Sequence, residues 1–246
     1  TVLGNCESVE LVVLSDSPSN HDDRVGAARI IGWNDLCASD ATVLHRVIDT
    51  DIVSILYTSG STGKPKGVVL SHRNMVAGAK SVSGYLENSS SDRILAVLPL
   101  SFDAGFSQLT TAFRAGGTAV LHDYFFPGDI VKAAEREHVT GITAVPPLWM
   151  QIADQKWPDE ARKRLRYFAN TGGKMPVTLL KRLRALFPQA KPYLMYGLTE
   201  AFRSTFLPPE EVDRRPESIG KAIPNAEILV VNPDGGLCGP GEPGEL

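Results

Sequence analysis

Apolar residues in this chain fall in short runs separated by polar or amphipathic stretches. Residues 11–14 predict a strand, and the polar segment 15–25, with Pro18 and Asn20, predicts a loop. Strands are expected at 52–57 and 68–70, either side of a glycine-rich polar segment, and both read as buried. Ser71 is placed to cap a helix over about 72–86. A strand at 94–98 ends at Pro99, a helix over 108–115 stops at Gly116-Gly117, and a strand follows at 118–121. A helix over 130–138 leads to a strand at 141–145, ended by Pro146-Pro147. Then come a helix over 161–166, an extended stretch at 167–169, a helix over 177–187 and a strand at 193–196 with a turn at Gly197. This order predicts an α/β fold: a mostly parallel sheet flanked by helices. Such sheets bind ligands at the carboxyl ends of their strands. Here those ends follow Tyr57, Leu98, Val145, Ala169 and Tyr196.

From Pro208 onward the pattern changes. Prolines recur at 209, 216, 224, 233, 240 and 243, no helix is evident, and 228–231 is the one clear strand. Residues 1–207 therefore read as an α/β region and 208–246 as the start of a small β subdomain, cut off as Gly244-Glu245-Leu246 begins another strand. The run Gly239-Pro240-Gly241-Glu242-Pro243-Gly244 fits a Gly-x-Gly-x-x-Gly dinucleotide fingerprint. Two prolines and the lack of a following helix make it a turn instead.

Composition narrows the function classes. Hydrophobic residues at 43% and charged residues at 22% over 246 positions suit an ordinary globular protein with a sizeable core. A net charge of −3 gives no sign of a nucleic-acid partner. No apolar run reaches the roughly 18 residues of a transmembrane segment, and no secretory leader opens the chain. Cys6, Cys37 and Cys238 are scattered, which argues against a disulfide framework or zinc site and for a reducing, cytoplasmic setting with structural thiols.

The densest chemistry lies at Thr58-Ser59-Gly60-Ser61-Thr62-Gly63-Lys64-Pro65-Lys66-Gly67. Glycines let backbone N–H groups turn toward an anion, hydroxyls donate hydrogen bonds and lysines supply charge, so ATP or a similar polyphosphate suits the loop. A plain Gly/Ser surface turn is the alternative. It is not a Walker loop: counting from Gly60, Pro65 stands where the second glycine belongs. A second cluster, Met195-Tyr196-Gly197-Leu198-Thr199-Glu200-Ala201, combines an aromatic ring, a hydroxyl and a carboxylate at a strand end. Those groups suit adenine stacking, phosphate hydrogen bonding and Mg²⁺ ligation. Alternatively, Thr199 caps a helix with Glu200 in its first turn. Asn170-Thr171-Gly172-Gly173 allows a flat ligand to approach the backbone, or is a tight turn.

The loop at 58–67 and the Tyr196–Glu200 motif resemble the signature motifs of the adenylate-forming superfamily: acyl-CoA synthetases, luciferases and peptide-synthetase adenylation domains. The resemblance implies that Thr58, Ser59, Gly60, Ser61, Thr62, Gly63 and Lys66 grip the phosphates of ATP. It implies that Tyr196 and Gly197 border adenine, that Thr199 contacts the α-phosphate and that Glu200 holds Mg²⁺, with Thr199, Glu200 and Lys66 the catalytic set. Gly172 and Gly173 would border the nucleotide, and Phe102, Asp103, Pro146 and Thr171 the carboxylate pocket. His72 would support the loop structurally. Asp103 is open to two uses: partner for a substrate ammonium, as in amino-acid-activating members, or cap of the next helix. Leu198, Leu70-Ser71-His72-Arg73-Asn74 and Ala144-Val145-Pro146-Pro147-Leu148 resemble the acyl-CoA ligases more closely.

The implied activity is ATP-dependent conversion of a fatty or other acyl acid to an acyl-adenylate with pyrophosphate release, then transfer to CoA. An amino-acid-activating domain feeding an acyl or peptidyl carrier protein, and a non-catalytic nucleotide-binding relative, are the alternatives. By the same resemblance, 1–207 is the ATP- and carboxylate-binding region without its upstream portion. A ribose-gripping aspartate and a C-terminal lysine-bearing domain are expected to be missing, leaving weak nucleotide binding and little turnover.

Overall fold

The computed structural model describes residues 5–15, 24–40, 45–58, 63–201 and 203–246. The chain divides into two compact units, Thr1–Val47 and Ile48–Leu246. In the first, β1 (Leu11–Leu14), β2 (Arg24–Val25) and β3 (Ala28–Gly32) form a sheet in the order β1-β3-β2, with β1 and β3 parallel. A short helix, α1 (Trp33–Cys37), follows.

The second unit opens with β4 (Ile52–Thr58) and β5 (Lys66–Ser71), which pair with each other in an antiparallel hairpin and, among the described residues, with no strand of the main sheet. This corrects the expectation of two buried strands. Leu56 and Leu70 are buried, but Val53, Ile55, Tyr57 and Val69 share an exposed face. The segment 59–65 is far shorter than the dozen or so residues a parallel crossover needs, so only a hairpin can form. Next, α2 (His72–Tyr85) begins on a capping box. Ser71 Oγ accepts from the Asn74 N–H at 3.2 Å, and Asn74 Oδ1 accepts from the Ser71 N–H at 3.0 Å.

The remaining elements are β6 (Arg93–Ala96), α3 (Asp103–Ala115), β7 (Thr118–Leu121), α4 (Pro127–Arg136), β8 (Gly141–Ala144), α5 (Pro146–Ala153), α6 (Asp159–Arg164), β9 (Tyr167–Asn170), α7 (Val177–Leu186), β10 (Lys191–Tyr196), β11 (Thr205–Leu207) and β12 (Lys221–Ala222). Among the described residues they build a seven-stranded sheet in the order β12-β11-β10-β9-β8-β6-β7. Strands β7, β6, β8, β9 and β10 are parallel, and β11 and β12 add antiparallel at one edge. The expected mostly parallel α/β fold is what the chain adopts.

Both faces of the sheet are covered, so β8 and β9 are buried at every position. On one face Phe168 packs with Ile142, Trp149, Leu183 and Phe187. On the other, Tyr167 and Ala169 pack with Tyr193, Met195, Val82 and Leu86. Helix α5 went unforeseen because Pro146-Pro147 reads as a stop; proline at the first helical turn loses no hydrogen bond there and instead starts the helix. Residues 228–231, expected as a strand, make only isolated bridges, Val231 with Leu237 and with Glu245. The prolines and glycines around them leave no room for a longer ladder.

One polar network ties the amino-terminal ends of the parallel strands. Asp92 is 2% exposed. It accepts from Thr140 Oγ1 at 2.7 Å, Arg166 Nε at 3.0 Å, Arg166 Nη2 at 2.8 Å and the Ser89 N–H at 2.8 Å. Arg166 Nη1 also donates to the Leu86 carbonyl at 2.9 Å. Burial by itself would raise the Asp92 carboxyl, but hydrogen bonds from Arg166, Thr140 and the Ser89 N–H, with the Arg166 charge, outweigh it and hold it below its ordinary value of 3.8.

Replacing Asp92 with Asn is expected to destabilise the fold by about 2 kcal/mol, measured by urea denaturation at pH 7. The folded carboxyl titrates below the unfolded one, so its stabilisation is complete above about pH 4 and is lost as pH falls through the lowered value. The gap between wild type and Asp92→Asn should therefore close in acid. A gap that stays unchanged all the way into acid denaturation would contradict this assignment.

Candidate active site

Four parallel strands deliver their carboxyl ends to one region. After β6, Phe102 occupies the N-cap position of α3 with its ring 40% exposed. After β8 come Val145, half-buried, and Pro146, buried. After β9, the buried Thr171 donates its N–H to the Ala144 carbonyl at 3.1 Å, and Asn170 Nδ2 donates to the Gly173 carbonyl at 2.8 Å. Gly172 has φ +70°. A Cβ there would stand 3.0 Å from Val145 Cγ1 and 3.9 Å from Phe102 Cζ, and one on Gly173 would stand 3.3 Å from Pro146 Cγ. Phe102, Pro146, Thr171, Gly172 and Gly173 thus come together as one wall, with bare backbone where a flat group can lie.

The end of β10 carries the second motif. Tyr196 is half-buried, Thr199 is half-buried and Glu200 is exposed. No helix follows Thr199; residues 199–201 form a bend before β11, so the capping alternative does not apply. The loop folds on itself. Leu198 and Ala201 exchange backbone hydrogen bonds at 3.3 and 3.2 Å, and Ser204 Oγ donates to the Ala201 carbonyl at 2.7 Å. A Cβ on Gly197 would fall 2.5 Å from the Arg203 backbone nitrogen, so only glycine permits that closure.

Thr199 and Glu200 line an open cleft of about 1360 Å³. The hairpin and the start of α2 also line it, through Val68, Leu70, His72 and Arg73, and so do Ile223–Ile228. His72 is the first residue of α2, and its backbone N–H donates to the Asp51 carbonyl at 3.0 Å. Val68–Leu70 of the hairpin that bears the glycine-rich loop thus line the same cleft as Thr199 and Glu200. Thr58 pairs with Lys66 at the hairpin tip, Lys66 is exposed, and Gly63 has φ +78°. Ser59, Gly60, Ser61 and Thr62 lie outside the described residues.

Asp103 differs from its capping use. It is the first residue inside α3 and makes no capping hydrogen bond. It is 6% exposed, and its Oδ2 accepts from Arg203 Nη1 at 3.2 Å. Arg203 and the Ile223–Ile228 wall were not foreseen. An arginine three residues past Glu200 reads as a surface charge, and no sequence signal announces its burial.

Among the described residues no group of three or more His, Cys, Asp or Glu side chains could hold a metal, and no helix is long and apolar enough to cross a membrane. A single carboxylate beside a hydroxyl does fit Mg²⁺, which commonly takes one or two protein ligands and completes its shell with substrate phosphates and water. Glu200 with Thr199 is such a donor set.

The sequence matches the AMP-binding enzyme family over residues 3–246. It is 35% identical over 196 residues to indoleacetate–CoA ligase of Aromatoleum aromaticum, covering 78% of this chain and 38% of that protein. Its fold superposes on the o-succinylbenzoate CoA synthetase of Bacillus subtilis in complex with ATP and magnesium, with a TM-score of 0.78 and 27% identity over 96% of this chain and 49% of that one. VinN in complex with L-aspartate gives a TM-score of 0.78 and 27% identity, covering 96% of this chain and 62% of that one. The chain thus spans 38–62% of the length of these proteins. The family match over residues 3–246 places this chain in the AMP-binding enzyme family.

Proposed function

We propose that the chain carries the nucleotide- and acid-binding site of an AMP-forming acid–thiol ligase, with CoA as the thiol. The supporting observation is the cleft lined both by Thr199 and Glu200 and by Val68–Leu70 of the hairpin that carries the glycine-rich loop. In the first step a carboxylate oxygen bonds to the α-phosphorus of ATP, and the bond to the departing pyrophosphate breaks. In the second, a thiol sulfur attacks the acyl carbon, AMP leaves, and the thiol proton passes to solvent.

The carboxylate is already a nucleophile, so the first step asks the protein for charge neutralisation and alignment rather than a base. Lys66 supplies positive charge at the loop, and the Thr199 hydroxyl donates to phosphate oxygen. Bound Mg²⁺ would offset phosphate charge, with Glu200 the residue to hold it. Phe102, Val145, Pro146 and Gly172 offer the acid an apolar, flat-sided wall. The resemblance to ligases of indoleacetate and o-succinylbenzoate puts aryl acids ahead of fatty acids as candidates. An amino-acid substrate, which the likeness to VinN with L-aspartate raises, would need Asp103 free for an ammonium group, and Arg203 already engages that carboxylate.

Radiolabelled ATP–pyrophosphate exchange, run on a full-length protein that includes this chain with a panel of aryl, fatty and amino acids, tests the reading. Exchange is expected with an aryl or other ammonium-free acid, and Glu200→Gln and Lys66→Met should each lower it by about 10²–10³-fold. Exchange with no acid at all, or wild-type rates in both variants, would sink the proposal. Gly172→Val should lower kcat/KM for the acid by at least about tenfold, because it adds a branched side chain at positive φ against Val145 and Phe102. Unchanged kcat/KM would remove Gly172 from the acid wall.

A further inference from the structure

The loop after β10 has a tether that the proposed chemistry does not itself use. Arg203 and Asp103 stand 100 positions apart in sequence, and their side chains are 3% and 7% exposed. Arg203 has φ +51°, in the left-handed region that non-glycine residues seldom enter. Its backbone also closes against Gly197, so one residue joins both ends of the loop that presents Thr199 and Glu200. On the other side of the pair, Asp103 directly follows Phe102, whose ring reaches the Gly172 wall. The ion pair therefore connects the loop of the Thr-Glu motif to the strand end that frames the acid pocket. Asp103 is well placed as the fixed end, because it lies in the first turn of α3, where the helix dipole favours negative charge.

We propose that Asp103 and Arg203 are a positioning pair, which holds the loop of Thr199 and Glu200 in register with the Phe102–Gly172 wall. Neither residue touches the reacting atoms in this scheme. The pair fixes orientation, and its effect on catalysis rests on the function proposed above, whereas its effect on the loop does not.

The test uses a full-length protein that includes this chain, and the double variant Asp103→Leu/Arg203→Met. Replacing both members of a buried ion pair with apolar side chains tends to preserve folding, whereas removing one strands a buried charge. Hydrogen exchange read by mass spectrometry is expected to run about tenfold faster in peptides spanning 197–204, with β9 and α7 unchanged. Loop protection equal to wild type in the folded double variant would overturn the proposal. In ATP–pyrophosphate exchange, kcat should fall by about 10²-fold while KM for the acid stays within about threefold. A raised KM with unchanged kcat would make the pair a substrate contact instead and overturn it too. Arg203→Lys keeps the charge and should retain most of the loop protection; protection as low as in the double variant would count against the pair. If the wild-type chain exchanges with no acid, the functional reading fails while the hydrogen-exchange result still decides the tether.

Discussion

A parallel strand buried on both faces has nowhere along its length to put chemistry. Its backbone groups are used up in the ladders, and its side chains must be apolar or fully partnered. Strands β8 and β9 are buried at every position. Polar function is confined to the strand ends, where the chain leaves the ladder and its N–H and C=O groups come free. Phe102, Pro146, Gly172 and Gly197 all follow such ends, and the candidate site is the set of these exits held side by side by the register of β6, β8, β9 and β10.

The same constraint explains which features were legible in the sequence. Continuous apolar runs bounded by proline or glycine gave the parallel strands nearly to the residue. The site motifs stood out because glycines, hydroxyls and charges cluster at run ends for no packing reason. What escaped depends on partners distant in sequence. Helix α3 starts at Asp103, five residues before the expected 108, because Asp103 is buried against Arg203 and Gly105 fits where a Cβ would strike the Pro99 carbonyl. Three-residue β11 carries no period of its own and exists because β10 offers it an edge. The hairpin of β4 and β5 was misread as buried because its exposed face is as apolar as its covered one.

Two arginine–aspartate pairs sit at opposite ends of the main sheet and differ in kind. Asp92 has several donors besides Arg166, and Arg166 is 31% exposed, so the penalty for burying charge is shared among hydrogen bonds and water. That arrangement stabilises the fold. Asp103 and Arg203 are nearly sealed, and a sealed pair often contributes less to stability than apolar side chains of the same size. What such a pair adds is definition of geometry, and it does so next to the loop where definition is scarce.

That scarcity follows from the chemistry proposed for the site. Joining a carboxylate to a phosphate needs no strong base, so little is demanded of side-chain pKa values. The demand falls on where a hydroxyl and a carboxylate point, since misplacement by about 1 Å can cost 10²-fold in rate. Yet Thr199 and Glu200 lie on irregular backbone, beyond the last ladder bond of β10 and before β11 begins. Such a segment cannot draw rigidity from the sheet. It must take it from contacts across the loop, from the Leu198–Ala201 turn and the Ser204 hydrogen bond, and from a neighbouring element. Gly197 permits the ends to meet, and Arg203 reaches a neighbour locked into the core, the first turn of α3. A loop free to present its motif to solvent on one side is thus held from the buried side, which leaves the cleft face clear for the nucleotide proposed to bind there.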